Sequence, residues 1–526
     1  MLDSGAGSSR HPAGPPAGPA LALPPAADAP AHSRGSMRKT VRAGVALILA
    51  GLLFRTFFAE PYLVPTGSMA PTVAGYHKVS VCPCCGCPVM VGRQGDGDND
   101  AEAQRHYRTA ICPNCGWEKL HLDQVPECPG DRLFVHKHVY DFRAPRRWEM
   151  IVFRHPQEQK SSVSDTYIKR VVGLPGESVQ IHRTDGDVYV NGRVARKTLA
   201  EFRALRLPVF DNNYLPHDAP MPFRWQGFDG SGWKPEDAGR QFRLAASAGA
   251  DEYDWLFYRH LVRQVETGGR LVWRPDHLKD VVGYNGGHPQ ERLIHDVLLD
   301  CEVQARGNGW LALAFTDGHE DVLVEIPVGA QAGSARLFHA AADGGHARPA
   351  LLRATAPFRL AADAPARVEC GVIDRRVFVA IDGAEIFGTI DLLDPPTDRP
   401  RRALQRPLTL GGYGPVSCGG RGVELLVRDL RLFRDIHYTD GSGGELHPHG
   451  VRDAVTLGPG EYFVLGDNSV NSYDSRCWKG GPVVRHTDLV GKAFLLHLPT
   501  RMTEWHQFGE KRALAVPDWS RMKLLR

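Results

Sequence analysis

Pro65-Thr66-Gly67-Ser68-Met69-Ala70-Pro71-Thr72 is the stretch on which the reading of this chain turns, together with Tyr167-Ile168-Lys169-Arg170-Val171-Val172-Gly173-Leu174-Pro175-Gly176-Glu177 about a hundred residues later. A serine needs a base before it is a useful nucleophile, and a lysine with the ordinary pKa of about 10.4 is protonated at neutral pH. Lys169 becomes a base only where desolvation disfavours its charged form. Ile168, Val171, Val172 and Leu174 make its segment read as a buried strand that enters a Pro-Gly turn. On that segment alone a solvated lysine at a strand end is the competing reading, because strand lysines are usually exposed. The two segments together suggest a Ser/Lys hydrolase.

A third segment changes the balance: Gly466-Asp467-Asn468-Ser469-Val470-Asn471-Ser472-Tyr473-Asp474-Ser475-Arg476. With Glu60-Pro61-Tyr62, Gly130-Asp131-Arg132-Leu133-Phe134-Val135-His136-Lys137 and Ile151-Val152-Phe153-Arg154-His155-Pro156 in the right order, the chain resembles bacterial type I signal peptidase, the leader peptidase. The resemblance implies that Ser68 attacks the scissile carbonyl and that Lys169 is the general base that later protonates the leaving amine. It implies an oxyanion hole made of the Ser68 N–H and the Thr66 hydroxyl. It makes Ser472 the residue that orients the lysine amine, with Asp474 and Arg476 as a supporting ion pair behind the site. Met69, Pro71, Tyr62 and Val64 are expected beside subsites for small side chains, typically Ala. The family's chemistry needs no cofactor. Two departures stand out: Arg147-Trp148-Glu149-Met150 where the family usually has Arg-Gly-Asp, and Ser469-Val470 where a charged pair usually follows Gly-Asp-Asn. They bear on strand-end geometry and local salt bridges more than on the chemistry.

Residues 1–37, rich in Pro, Ala, Gly and Ser, cannot build a core and read as a disordered cytoplasmic tail, with Met37 as an alternative start. Arg38, Lys39 and Arg42 then precede the apolar run Ala43 to Phe54, and residues 38–60 are expected to form a transmembrane anchor. The run is short against a span of about 20 residues and also fits a secretory signal peptide. The uncleaved anchor is preferred because no Ala-x-Ala site follows Phe54 and the serine segment begins almost at once. The basic flank places the amino terminus in the cytoplasm and the rest on the outer, periplasmic face of the inner membrane. Membrane lipid is then a partner.

The length of 526 residues permits about three domains, and 42% hydrophobic residues suffice for sizeable cores. A net charge of +3 without an extended basic stripe argues against nucleic acid. Cys82-Pro83-Cys84-Cys85-Gly86-Cys87 and Cys112-Pro113-Asn114-Cys115-Gly116 read as a zinc ribbon over residues 82–128. Cys82, Cys85, Cys112 and Cys115 are the expected ligands of a structural zinc, Cys84 and Cys87 are extra thiols, and disulfides are the alternative. Residues 197–457 hold many short strand patterns, among them a hairpin of Arg367–Ile373 and Val377–Gly383. They read as a β-sandwich resembling concanavalin-like, laminin-G-type domains. Trp233, Trp255, Trp273 and Trp310 are either its core or a sugar platform.

The expected fold is therefore mainly β. A signal-peptidase-like catalytic domain (61–81, 129–196 and 458–500) carries one N-terminal transmembrane helix, a small zinc-ribbon-like insert, a large β-sandwich insert and a C-terminal tail (501–526). The function this implies is a membrane-bound serine endopeptidase that removes signal peptides from exported preproteins. The alternative from another class is an envelope glycan- or protein-binding module on a vestigial peptidase scaffold. A self-cleaving repressor of a related Ser/Lys fold fits poorly, because the chain has an anchor and no helix-turn-helix. If the sandwich is an accessory, deleting residues from about 200 to 450 leaves cleavage measurable.

Overall fold

The computed structural model describes residues 34–57, 59–93, 107–154, 166–183, 185–217, 221–245, 251–342, 350–354, 358–394, 401–438, 449–507 and 510–525. The expected tail lies outside them up to residue 33. Helix α1 (Arg34–Phe57) starts within the segment expected to be tail, and it ends before the expected end of the anchor. Glu60 already belongs to a strand, β1 (Glu60–Leu63), because Pro61 cannot continue a helix and the segment pairs with residues 132–135. Among the described residues no helix is long and apolar enough to cross a membrane.

From Phe57 onward the chain is one unit and mainly β. The sheet that carries Lys169 contains β1, β2 (Arg132–His136), β3 (Met150–Arg154), β4 (Thr166–Gly173), β5 (Glu461–Leu465), β6 (Val484–Arg485) and β7 (Leu489–Leu496). Their spatial order is β1-β2-β7-β3-β4-β5-β6, with Lys523–Leu524 added on β7. Strand β3 lies between two neighbours with Met150, Ile151, Val152 and Phe153 all buried, which is why it reads as an unbroken apolar run and not as an alternation. Segments almost 300 residues apart thus become adjacent strands, as β4 and β5 do. The last residues are no extended tail: Thr500–Gln507 and Glu510–Pro517 form a hairpin, and Leu525 is buried against β2 and β7.

Between β4 and β5 in sequence, a nine-stranded and a seven-stranded antiparallel sheet share one core. Val303, Val368 and Leu425 enter that core from the first sheet, and Leu311, Leu313 and Phe315 from the second. Ala312 and Ala314 point the other way, onto Trp255 and Leu408. Trp233 and Trp255 are buried and cannot serve as an open sugar platform, while Trp273 and Trp310 are half-buried. The cysteine segment forms a three-stranded sheet, Pro88–Gly92, His77–Val81 and Glu127–Cys128, with a small pair, Thr109–Ala110 and Leu120–His121.

His437 is buried and His295 half-buried on this β-rich part. Burial lowers the pKa of His295 to about 3, helped by the charge of Arg401, and that of His437 to about 4, helped by Arg434 and Arg292. Asp317, Asp185 and Asp280 oppose these shifts without reversing them. A depressed histidine pKa contributes stability above pH 6.5 that is lost as pH falls towards the folded value, at about 1.4 kcal/mol per pKa unit. The double variant His295→Gln/His437→Gln should therefore lose less of its thermal midpoint between pH 7 and 4 than the wild type. Equal losses would show that these imidazoles titrate as they do in the unfolded chain.

Candidate active site

Ser68 lies in a tight loop after β1, closed by hydrogen bonds from Ala70 N–H to Gly67 O (3.1 Å) and from Val73 N–H to Met69 O (2.9 Å). The loop is pinned by Asp131, fully buried and next to β2. The Asp131 Oδ2 accepts from Ala74 N–H at 2.8 Å and from the Arg521 guanidinium at 2.6 Å, and its carbonyl accepts from Val64 N–H at 2.9 Å. Gly130-Asp131 is thus the clip that fixes where the serine loop leaves and rejoins the sheet.

Lys169, on β4, is 3% exposed and its Nζ donates to Ser68 Oγ at 2.8 Å and to the Ile168 carbonyl at 3.1 Å. Ser68 is itself 8% exposed. Its N–H makes no hydrogen bond among the described residues, and Thr66 is exposed on the same rim. Both donors are open to an oxygen arriving in the cleft. That cleft has a volume of about 300 Å³; beyond Thr66, Ser68 and Lys169 its walls include Arg93, Tyr167, Tyr284, Asn468, Asn471 and Tyr473. Of these, Arg93 and Tyr284 lie outside the segments that sequence reasoning singled out, whereas Tyr167 belongs to the lysine segment and Asn468, Asn471 and Tyr473 to the Gly-Asp-Asn segment. Val64 and Met69 are buried in the core under β1 and β2, Tyr62 packs against it with its pKa pushed up to about 12 by burial and by Glu60, and Pro71 borders a separate apolar cavity. None of these four lines the cleft.

The loop after β5 meets the serine loop from the other side. Asn468 donates from its backbone N–H to Ser68 O and from Nδ2 to Gly67 O, each at 3.0 Å. Gly466 passes so close that a Cβ there would stand 2.1 Å from Ser472 Oγ and 2.5 Å from Ser68 O. Between them, Asp467 takes two bonds from the Arg170 guanidinium, at 2.7 and 2.6 Å, with both side chains essentially unexposed. Burial opposes the charge on Arg170, yet the Asp467 carboxylate outweighs it and holds the guanidinium above its usual pKa.

Asp474 and Arg476 form the expected pair, at 2.8 Å and fully buried. Burial pushes the Asp474 carboxyl up, but Arg476 and the Gly466 N–H at 3.0 Å more than offset this and hold it below the usual range. Ser472 lies beside them, buried, and its hydroxyl helps to hold the Asp474 carboxyl down, but its Oγ makes no hydrogen bond to the Lys169 amine. The bond to the Lys169 amine that the resemblance implies is therefore not formed.

The two departures have local answers. Ser469 accepts from Arg476 through both Oγ (3.0 Å) and its carbonyl (2.8 Å), so it extends the buried ion pair. Trp148 stands where glycine is usual and keeps a left-handed backbone, φ 68°, a conformation costing about 1–3 kcal/mol for a bulky residue. It is buried, and the Lys197 amine sits 4.3 Å over its ring. Glu149 pairs with Arg143 (2.8 Å) and Lys492 (3.0 Å).

Cys82, Cys85, Cys112 and Cys115 come together with all four sulfurs within 4.8 Å of one another. The two knuckles are alike: Gly86 and Gly116, both left-handed, donate to the carbonyls of Cys82 and Cys112 at 2.9 and 2.8 Å. The Cys82–Cys115 and Cys85–Cys112 sulfur separations are both 3.7 Å. A disulfide needs about 2.05 Å. Four thiolates about 2.3 Å from one tetrahedral ion stand about 3.8 Å apart, so the donor set fits zinc. Cys84 and Cys87 point elsewhere, to Arg263 and to the Pro88 carbonyl.

Residues 125–219 and 439–498 match the signal peptidase, peptidase S26 family. Among curated proteins the chain is similar to signal peptidase I of Leptolyngbya laminosa, 34% identical over 146 residues, which are 27% of this chain and 59% of that one. It is also similar to a probable signal peptidase I-2 of Synechocystis sp. (36% over 92 residues, 16% and 40%) and to signal peptidase I of Rickettsia massiliae (29% over 154 residues, 29% and 43%). These parts of the chain are thus similar to the type I signal peptidases. The chain spans between about two fifths and three fifths of the length of these curated relatives. Among solved structures, the carbohydrate-binding module CBM66 from Bacillus subtilis is similar at 12% identity over 41% of this chain and 97% of that one, with a TM-score of 0.20, too low to carry an argument.

Removing one partner of a buried ion pair leaves the other uncompensated, at about 3–5 kcal/mol. Asp467→Ala should destabilise the protein by that amount in a denaturant titration, and Arg170→Met/Asp467→Leu should be less damaging than Asp467→Ala. A loss under about 1 kcal/mol for Asp467→Ala would remove the pair from its assigned role. For the cysteines, elemental analysis of the folded protein should return one zinc per chain, lost in Cys112→Ser. Paired cysteines without metal would reverse the assignment.

Proposed function

We propose that this protein is a serine endopeptidase that cleaves signal peptides from exported preproteins with Ser68 as nucleophile and Lys169 as general base. The observation that carries this reading is the 2.8 Å contact between Lys169 Nζ and Ser68 Oγ, both buried and opening on one cleft. As Ser68 Oγ adds to the scissile carbonyl, its proton passes to an uncharged Lys169 amine across that contact and then to the leaving amine. The carbonyl oxygen, as it gains charge, takes hydrogen bonds from the Ser68 N–H and the Thr66 hydroxyl. Asp474, Arg476 and Ser472 hold the loop against which the Ser68 backbone rests. The family matches support the reaction class, and the names of the relatives support preproteins as substrates.

In the same reading, residues 61–81, 129–196 and 458–500 are the catalytic domain, 82–128 a zinc-bearing ribbon and 197–457 a β-rich insertion. Helix α1, with Arg38, Lys39 and Arg42 ahead of its apolar stretch, is the membrane anchor, amino terminus in the cytoplasm. Tethering there would bring the cleft to precursors at the outer face and raise their effective concentration. The alternative of a vestigial scaffold that only binds glycans or proteins is disfavoured by the serine–lysine contact, which binding alone has no use for.

Cleavage of a preprotein by the purified chain should fall roughly 10⁴-fold or more in Ser68→Ala and in Lys169→Met. Normal turnover in either variant, or an inert wild type, would defeat the dyad.

A further inference from the structure

The short turn Gly283–Asn285 belongs to the β-rich stretch, remote in sequence from both catalytic segments, yet it abuts the serine loop directly. The ring of Tyr284, 3% exposed, lies so close to Gly67 and Gly92 that a Cβ on either would stand 2.3 or 1.8 Å from it, and its hydroxyl donates to Tyr76 O at 3.3 Å. Asn285 exchanges two hydrogen bonds with Asn468: its Nδ2 donates to Asn468 Oδ1 at 2.7 Å, and its Oδ1 accepts from Asn468 Nδ2 at 2.8 Å. The same Oδ1 accepts from Asn471 Nδ2 at 2.8 Å. Asn468 is the residue that holds the Gly67 and Ser68 carbonyls. A continuous relay of amides therefore runs from Asn285 to the backbone of Ser68.

Behind the turn stands the cysteine ribbon. Ile111 N–H donates to Gly286 O at 2.8 Å, a Cβ on Gly287 would meet Ile111 O at 2.1 Å, and the Pro113 ring lies 3.2 Å from the corresponding position on Gly283. The turn's own base is fixed by Arg434, which donates to Val281 O at 3.1 Å and pairs with Asp280. The turn is thus wedged between a rigid ribbon and the loop that carries the serine.

We propose that residues 283–287 are a positioning element for the nucleophile: Asn285 sets Asn468, and Tyr284 backs Gly67, so that Ser68 is held against Lys169. This rests on the reading of Ser68 as nucleophile. It makes the β-rich insertion part of the catalytic cleft, so deleting residues 200–450 would disrupt the site and not merely trim an accessory.

The test uses the full chain and compares wild type, Asn285→Ala, Asn468→Ala and the double variant. Displacing a reacting group by about an ångström costs on the order of a hundredfold. Asn285→Ala should lower kcat roughly ten- to a hundredfold with KM held within about threefold and the thermal midpoint kept. The double variant should be no slower than Asn468→Ala alone. Amide hydrogen exchange should rise in residues 66–74 of Asn285→Ala and stay unchanged in β3. Wild-type kcat, additive losses, or unchanged exchange in 66–74 would each overturn the proposal. Should the wild type match Ser68→Ala on every preprotein tried, the dyad is what fails, and the exchange in 66–74 still decides whether the turn fixes the loop.

Discussion

The ion pair of Arg170 and Asp467 is the constraint on which the site rests. Arg170 follows Lys169 on β4, and Asp467 lies between Gly466 and Asn468, so one interaction ties the lysine strand to the loop that grips the serine backbone. Withdrawing both charges from water is costly, and the geometry that compensates for it is specific: two parallel bonds, plus a third from Arg170 Nη1 to Trp148 O at 2.5 Å. A slip of β4 against β5 would break the two bonds to Asp467, and a slip of β4 against β3 the one to Trp148. Lys169 and Ser68 therefore meet because the residues next to them cannot be anywhere else.

Much of this was legible from the sequence, for reasons that differ from one element to the next. Ile151-Val152-Phe153 and Val171-Val172 read as central strands because both faces of the sheet are covered there. Ser68, Lys169 and the Gly-Asp-Asn loop were legible as short segments of recognisable chemistry, and the cysteine knuckles because metal ligands need fixed local spacing. The helix covers Arg34–Phe57 where the anchor was expected over 38–60, and Glu60 and Pro61 already belong to the strand that pairs with β2. Ser472 was read through the resemblance, and its hydroxyl does not reach the lysine.

What the sequence hid was contact at long range. Tyr284 and Asn285 sit in an unremarkable Gly-Tyr-Asn-Gly turn, and nothing local marks them as neighbours of a serine more than 200 residues earlier. Trp148 is similar: its backbone is left-handed, its N–H donates to Val171 O at 2.8 Å, and the Lys197 amine lies above its ring. In both places the β-rich stretch has grown into the catalytic framework. Lys197 itself is held by Asp374 and Asp435, at 3.1 and 2.6 Å, which carries the connection from Trp148 deep into that stretch.

The central claim is that Ser68 is made nucleophilic by Lys169 in a site assembled by the whole fold. The most direct measurement is mass-spectrometric mapping of the full chain after reaction with a serine-directed acylating probe. The account predicts one acylated residue, Ser68, and its loss in Lys169→Met while that variant keeps its thermal midpoint. Acylation elsewhere with Ser68 untouched, or equal labelling of Ser68 without the lysine, would contradict it.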